Sequence, residues 1–500
     1  MGRIAAFIVL VWSTTMGLTQ EAFPLVNRPW YEARTTHFYT YSCGPTQEVA
    51  KLAARLEQFR GAYGALAGPQ AVASPPIVVL AFPDKAALQD FVPLYQGKPT
   101  SLAGFFHRGS DENLIVLSLT DSGPGTLEII LHEYAHLLLR RNGQIWPVWL
   151  NEGMADIYSK FEVVGERTVR IGGIKESYLR LLKQEPFRPF KDLFAVTQES
   201  PEYNEREHQG MLYAQSWLLT HYLMIGNPVH RARFGELTTL LRQGQSPEQA
   251  FTNTFKTSLP AMEKELQAYL QRGKFDTFSF SVQANLLAPQ PLQWRRLTPA
   301  ETCFRLGDEL LRIGRLDTAE AYFLQSRKLS PESPLGWEGL GLLAVERRQH
   351  SESFTFFDEA LRRGSTSFLA HYFWAKQKLR LSGNAEGNIM RLGEPVASEI
   401  RARLEKALQL MPDFGPAHHV LGFFELVQGA HPSSAEQHLR RAIELEPENQ
   451  VYLLTLAQAQ IAGQDTKAAR RTLESLLLPY VSVQVRVHAE LLLKNLDGKK

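Results

Sequence analysis

The sequence predicts an α+β unit, with an N-terminal mixed sheet and a helical C-terminal subdomain, followed by an all-α solenoid. Three observations carry this. Short apolar or alternating runs at 36–41, 76–82 and 113–119 read as strands bounded by turn residues. Apolar residues at helical spacing fill much of 157–275. Beyond residue 300 a Leu-Gly pair and its surroundings recur with a 34-residue period broken by one insertion, the mark of a stacked array. The expected boundaries are 1–19 for an export signal, 24–275 for the α+β unit, 276–299 for a linker and 300–490 for the array.

The chain has 500 residues, 44% hydrophobic and 21% charged, an ordinary folded composition with room for two or three domains. The net charge of +2 gives no electrostatic case for nucleic acid. Arg3, an apolar run over 4–12 and small or polar residues over 13–19 read as an export signal, with cleavage after Gly17 or Thr19. The expected location is therefore periplasmic or secreted. An uncleaved anchor is the alternative, and only then would the chain touch a membrane. No later stretch is long and apolar enough to span one. Cys43 and Cys303 fall in different units and read as separate buried thiols rather than a disulfide framework.

Residues 47–66 carry helical periodicity through Leu52, Leu56 and Phe59, and Asp84 can cap a short helix reaching Phe91. Residues 157–275 read as helical, with 178–183 and 211–224 the clearest segments and 198–210 a polar loop. Pro289, Pro291 and Pro299 mark the linker. In the array, Leu306-Gly307 recurs as Leu340-Gly341, then as Trp374-Ala375, and after an insertion over 382–398 as Leu421-Gly422 and Leu456-Ala457. Phe323 matches Phe357, and Leu439 matches Leu473, each 34 residues apart. Pro331, Pro412 and Pro447 stand at the stops.

The chemistry is concentrated in His132-Glu133-Tyr134-Ala135-His136. Residues four apart share one face of a helix, so both imidazoles can reach one metal ion. Glu133 points aside, where it can act as general base on a water activated by the metal. Pro124 suits the first turn of this helix, Asp121 or Ser122 its cap, and Asn142-Gly143 its end. Glu152 follows His136 by 16 residues, enough for a turn and a second, antiparallel helix beginning at Pro147. It completes a His2Glu ligand set for one Zn2+ per chain. Asp156, one turn further, can hold the other ring nitrogen of a ligand histidine.

These two motifs resemble the gluzincins, zinc peptidases whose third ligand is a glutamate on a second helix. The shorter spacing points to the peptidase-MA-like group of bacterial exported proteins. The Gly-x-Met-Glu-Asn motif of aminopeptidase N relatives is absent. The resemblance covers about 30–275, with its specific motifs in 132–156. It implies a zincin-like fold whose sheet edge receives the substrate backbone, and residues 104–109 are a candidate for that wall. It also implies a Tyr or His beyond the third ligand that stabilises the oxyanion. Tyr213 is the candidate, with His208 and His221 behind it.

The array resembles tetratricopeptide repeats over about 300–490, in which a small residue sits where the two helices of a repeat touch. That resemblance implies a concave face for a peptide or protein. The resulting expectation is an exported zinc metallopeptidase acting on a peptide or protein substrate, with repeats that hold substrate or partner. The alternative is an inactive peptidase-like fold serving as an interaction scaffold. A zinc hydrolase acting on another acyl bond is a third reading.

Overall fold

The computed structural model describes residues 23–68, 77–100, 102–120, 124–139, 146–197, 200, 206–383, 390–429, 432–447, 449–477 and 481–497. The expected export signal, the helix-capping residues Asp121 and Ser122, and the stop at Asn142-Gly143 lie outside these residues.

The strands are β1 (Tyr31–Arg34), β2 (Phe38–Ser42), β3 (Ile77–Phe82), the short hairpin β4 (Leu94–Tyr95) and β5 (Lys98–Pro99), β6 (Gly104–Arg108), β7 (Asn113–Ser118), β8 (Glu162–Val164), β9 (Thr168–Ile171), β10 (Phe278–Ser281) and β11 (Gln293–Arg296). Six of them form one mixed sheet in the order β11-β1-β2-β3-β7-β6. β2, β3 and β7 run parallel; the outer pairings are antiparallel.

All six residues of β3 are buried, as its unbroken apolar run requires of a strand covered on both faces. The period of two divides them cleanly. Ile77, Val79 and Ala81 join the core under helices α1 (Thr46–Ala67) and α3 (Pro124–Leu139). Val78, Leu80 and Phe82 join a second core built with Cys303, Leu306, Leu310 and Phe323. β7 repeats the division, with Ile115 and Leu117 on one side and Leu114 and Val116 on the other. The opening helix pair of the array is thus the third layer of the α+β unit.

Between the strands, the Asp84 side chain accepts from the Ala87 amide at 2.8 Å and caps α2 (Lys85–Leu88), which runs on as a 3-10 turn to Phe91. After α3 come α4 (Val148–Ser159), α5 (Glu176–Gln184), α6 (Phe190–Ala195) and α7 (Arg206–His221), then helices Pro228–Arg242, Pro247–Phe255 and Leu259–Arg272.

Three expectations need correction. The polar loop expected over 198–210 stops short, because α7 begins at Arg206. Residues 157–275 are not all helical, because β8 and β9 form a hairpin around Gly165, whose φ of 68° suits glycine. The stretch 276–299 is not a free linker, because it folds. β10 pairs with β9, and β11 pairs with β1 in the register Tyr31↔Arg296. All four β11 side chains are exposed, so no apolar alternation announced the strand. Its hold is the backbone ladder together with Arg295, which bonds Glu32 at 3.0 Å and Glu301 at 2.5 Å.

The array consists of five helix pairs: 299–312 with 316–329, 335–346 with 350–362, 368–381 with 396–410, 415–428 with 432–445, and 450–462 with 466–475. The insertion falls inside the third pair. The glycines of the repeat are spaced for contact. A β-carbon on Gly341 would lie 2.9 Å from the Phe357 ring, and one on Gly422 2.8 Å from Leu439. A final helix, Val483–Asp497, covers the last pair through Val485 and Ala489, as the end of a solenoid requires. Cys303 is buried and Cys43 half-buried, both as free thiols. No helix among the described residues is long and apolar enough to cross a membrane.

Candidate metal centre

α3 is fixed by its apolar face. Ile130, Leu131, Tyr134, Ala135 and Leu138 are buried against the sheet and α1. The Tyr134 ring lies edge-on to Phe38 at 5.7 Å, and its hydroxyl accepts from Arg60 Nη1 at 3.0 Å. The helical period then turns His132 and His136 to the opposite side, where their side chains keep 14% and 16% exposure, enough to be reached from solvent. α4 begins after Pro147, buries Trp149, Leu150, Ala155 and Ile157, and packs between α3 and α7. This lays Glu152, only 1% exposed, across the two histidines.

His132 Nε2, His136 Nε2 and Glu152 Oε2 form a triangle. The nitrogens are 3.0 Å apart, and each is 3.2 Å from the carboxylate oxygen. A tetrahedral site with bonds of 2.0–2.1 Å has ligand–ligand edges of about 3.3 Å. Among the described residues this is the one group of three or more His, Cys, Asp or Glu side chains whose ligand atoms converge in this way. The donor set, two imidazoles and a carboxylate, suits zinc.

The electrostatics favour positive charge at this point. Burial opposes a charged His132, but the charge and 2.8 Å hydrogen bond of Asp156, together with Glu152, outweigh it and raise the imidazole to about 10. Burial likewise pushes the Glu152 carboxyl up, and contacts with His132 and His136 outweigh it and hold it at about 2. A cation entering the triangle would displace a proton held by the same field. His136 Nδ1 is buried without a hydrogen-bond partner among the described residues.

Asp156 is fully buried and faces His132 Nδ1. With Nδ1 donating to this carboxylate, Nε2 would become the lone-pair nitrogen once a metal ion displaced its proton. Lys175 touches Asp156 from behind and also reaches Glu128 Oε1 at 3.1 Å. Tyr178 lies beside the same carboxylate, and burial, then Asp156, pushes its phenol upward. Lys175 and Tyr178 were not foreseen: both follow β9, outside the motif helices, and no pattern ties them to it.

The other expected residues are distributed as follows. Glu133 is half-buried on α3 between the two histidines and makes no hydrogen bond or ion pair with the described residues. The Tyr213 ring stands 6.4 Å from the His132 ring, nearly edge-on, and is half-buried. His221 is a core residue: its Nε2 meets the Gly172 carbonyl at 3.1 Å and its Nδ1 the Tyr269 hydroxyl at 2.8 Å. Both nitrogens are engaged away from the triangle. The His208 side chain lies outside the described residues. Residues 104–109 do provide the sheet edge nearest α3. Among the described residues β6 pairs with β7 alone, and a β-carbon on Gly104 would lie 3.3 Å from Ile130 Cδ1.

Comparison with known proteins identifies the array. Models of the tetratricopeptide repeat family match residues 304–368 and 426–489, so the helix pairs within these residues are tetratricopeptide repeats. Similar solved structures include YrrB, described as a TPR protein with an unusual peptide-binding site, at 16% identity and a TM-score of 0.31 over 38% of this chain and 91% of YrrB. PilW, a type IV pilus biogenesis factor, shows 16% identity and a TM-score of 0.31 over 52% of this chain and 98% of its own. A thermophilic TPR protein from Thermus thermophilus shows 20% identity and a TM-score of 0.29 over 39% of this chain and 99% of its own. No curated protein sequence matches the chain.

Proposed function

We propose that the chain is an exported zinc-dependent peptidase whose tetratricopeptide repeats hold its substrate or a partner protein. The observation that supports the catalytic half is the triangle of His132, His136 and Glu152 with Asp156 behind it. The repeat assignment supports the binding half.

His132 Nε2, His136 Nε2 and Glu152 would hold the zinc. The bound ion would polarise a peptide carbonyl and lower the pKa of water. Asp156 fixes the His132 tautomer, and Lys175 balances the buried charge of Asp156. Glu133 takes the proton from the attacking water and returns it to the departing amine. Tyr213 donates to the oxygen on which negative charge develops.

The test is zinc content after exhaustive dialysis, wild type beside Glu152→Ala, followed by cleavage of an unfolded protein substrate by wild type and Glu133→Gln. The reading requires one zinc per chain that is lost in Glu152→Ala, and cleavage that is lost in Glu133→Gln. A wild type without zinc sinks it. A scaffold without catalysis is the second reading, favoured by the family matches, which lie within the array. Partner capture that is unaffected by chelation, with no cleavage at any zinc level, would establish it. Export is checked by the N-terminal sequence of the mature protein.

A further inference from the structure

A cavity of about 680 Å³ runs along the array. Its lining comes from the first helix of every pair, or the residues just before it, and from the turn between β6 and β7. That turn is fastened to the first pair. Arg312 bonds both Asp111 oxygens, at 2.6 and 3.3 Å, and its Nε bonds Asp308 at 3.0 Å. The groove is therefore composite: the repeats make its length, and the α+β unit closes one end.

Its chemistry is uneven. The lining holds four carboxylates, Asp111, Asp308, Glu346 and Glu446, against two cations, Arg312 and Lys376. Asp111 and Asp308 already occupy Arg312. Glu346 has no ion-pair partner among the described residues. Among the described residues Glu446 accepts from neutral groups alone, Tyr452 Oη at 2.9 Å and Asn449 Nδ2 at 3.4 Å. An excess of two negative charges thus lines the groove of a chain whose overall balance is +2. Between these charges stand partly exposed apolar side chains, Leu342, Val345, Leu369 and Phe373.

We propose that this groove docks an extended polypeptide segment of net positive charge. The apolar side chains take its hydrophobic residues, and Glu346 and Glu446 take its lysines or arginines. An extended chain suits a groove that touches five successive helix pairs and ends at a strand. From the closed end, β6 leads back toward α3 over four residue steps, about 13 Å. Its outer edge is unpaired among the described residues. A docked chain that continued as a strand on β6 would arrive beside the helix that bears His132 and His136. Only this delivery step rests on the peptidase reading above; the docking does not.

The experiment uses the full chain and two fluorescein-labelled, unstructured peptides. They have equal length and identical apolar residues, with lysine at the variable positions of one and glutamate in the other. Fluorescence anisotropy is expected to show binding of the lysine peptide that weakens with salt, and at least about tenfold weaker binding of the glutamate peptide. Glu346→Lys with Glu446→Lys should abolish that preference, with helicity and melting checked by circular dichroism. If the double variant fails to fold, the single Glu346→Gln should weaken the lysine peptide by itself. Chelation and Glu133→Gln should leave binding unchanged, so a chain without zinc that still binds the lysine peptide keeps this proposal and loses the catalytic one. Equal binding of both peptides, binding of neither, or a folded charge-reversed variant with undiminished lysine-peptide affinity would overturn it.

Discussion

A β-carbon on Gly153 would lie 2.0 Å from the Thr220 hydroxyl oxygen and 2.5 Å from the Ser216 carbonyl oxygen. α4 therefore rests on α7 at a separation that only glycine permits, and the residue before this contact is Glu152. Gly153→Ala must push the two helices apart, at about 1–3 kcal/mol. It should carry Glu152 away from the histidines. Chemical denaturation should report the lost stability and competition with a chelator the lost zinc affinity. An alanine variant with both unchanged would show that the helix contact does not position Glu152.

Asp156 is expected to act through His132 and not through the substrate. Asp156→Asn keeps the shape and removes the charge that faces His132 Nδ1. Zinc affinity should fall about 10–100-fold with the fold retained. Lys175→Met should also weaken zinc, because it leaves the Asp156 carboxylate buried without its neighbouring cation. If neither variant differs from wild type in a zinc titration, the residues behind the triangle are structural only.

His221 gives the α+β unit an acid-sensitive element. Burial lowers its imidazole from 6.5 to about 4, against the opposing pull of the Gly172 carbonyl. The unfolded chain therefore binds this proton more readily than the folded one. The neutral histidine's contribution is complete above pH 6.5 and is lost as pH falls from 6.5 toward 4. The shift corresponds to about 3 kcal/mol. Denaturation midpoints measured over that window should slope downward for wild type, and the slope should be reduced in His221→Gln. Parallel slopes for the two proteins would remove His221 as the cause.

Gly307 and Gly422 occupy equivalent positions in the repeat but should not be equivalent in effect. A β-carbon on Gly307 would meet the Phe323 ring at 2.7 Å, and Phe323 belongs to the core shared with β3 and β7. Gly307→Ala should loosen the sheet and the first repeat together. Gly422→Ala should loosen only the distal repeats, through Leu439. Hydrogen exchange resolved by peptide would separate the two patterns, and identical patterns would count against a shared core.

The parts of the fold legible in the sequence were those whose signal is local and periodic. The 34-residue spacing placed Gly307, Gly341 and Gly422 at helix contacts, and the unbroken run of β3 marked a strand covered on both sides. The spacing of His132, His136 and Glu152 likewise matched the triangle found. What stayed hidden was set by distant pairing. β11 exposes every side chain and is a strand only because β1 lies beside it. The β8–β9 hairpin is too short for its alternation to stand out from the helices around it. Lys175 reaches Asp156 from a loop, and no motif links the two.

The union of the sheet with the first repeat bears on how the protein is made. Glu32 waits for Arg295, 263 positions later, and the face of Val78, Leu80, Phe82, Leu114 and Val116, which Trp30, Leu88, Phe91 and Val92 cover in part, is completed only when the first repeat has been synthesised. At ordinary elongation rates of 5–20 residues per second, the gap between β7 and β11 lasts roughly 10–40 s. During that interval part of an apolar sheet face and the β1 strand edge are open to other chains. A nascent chain stopped before the first repeat would leave part of that face exposed, so the sheet is completed only as the array emerges.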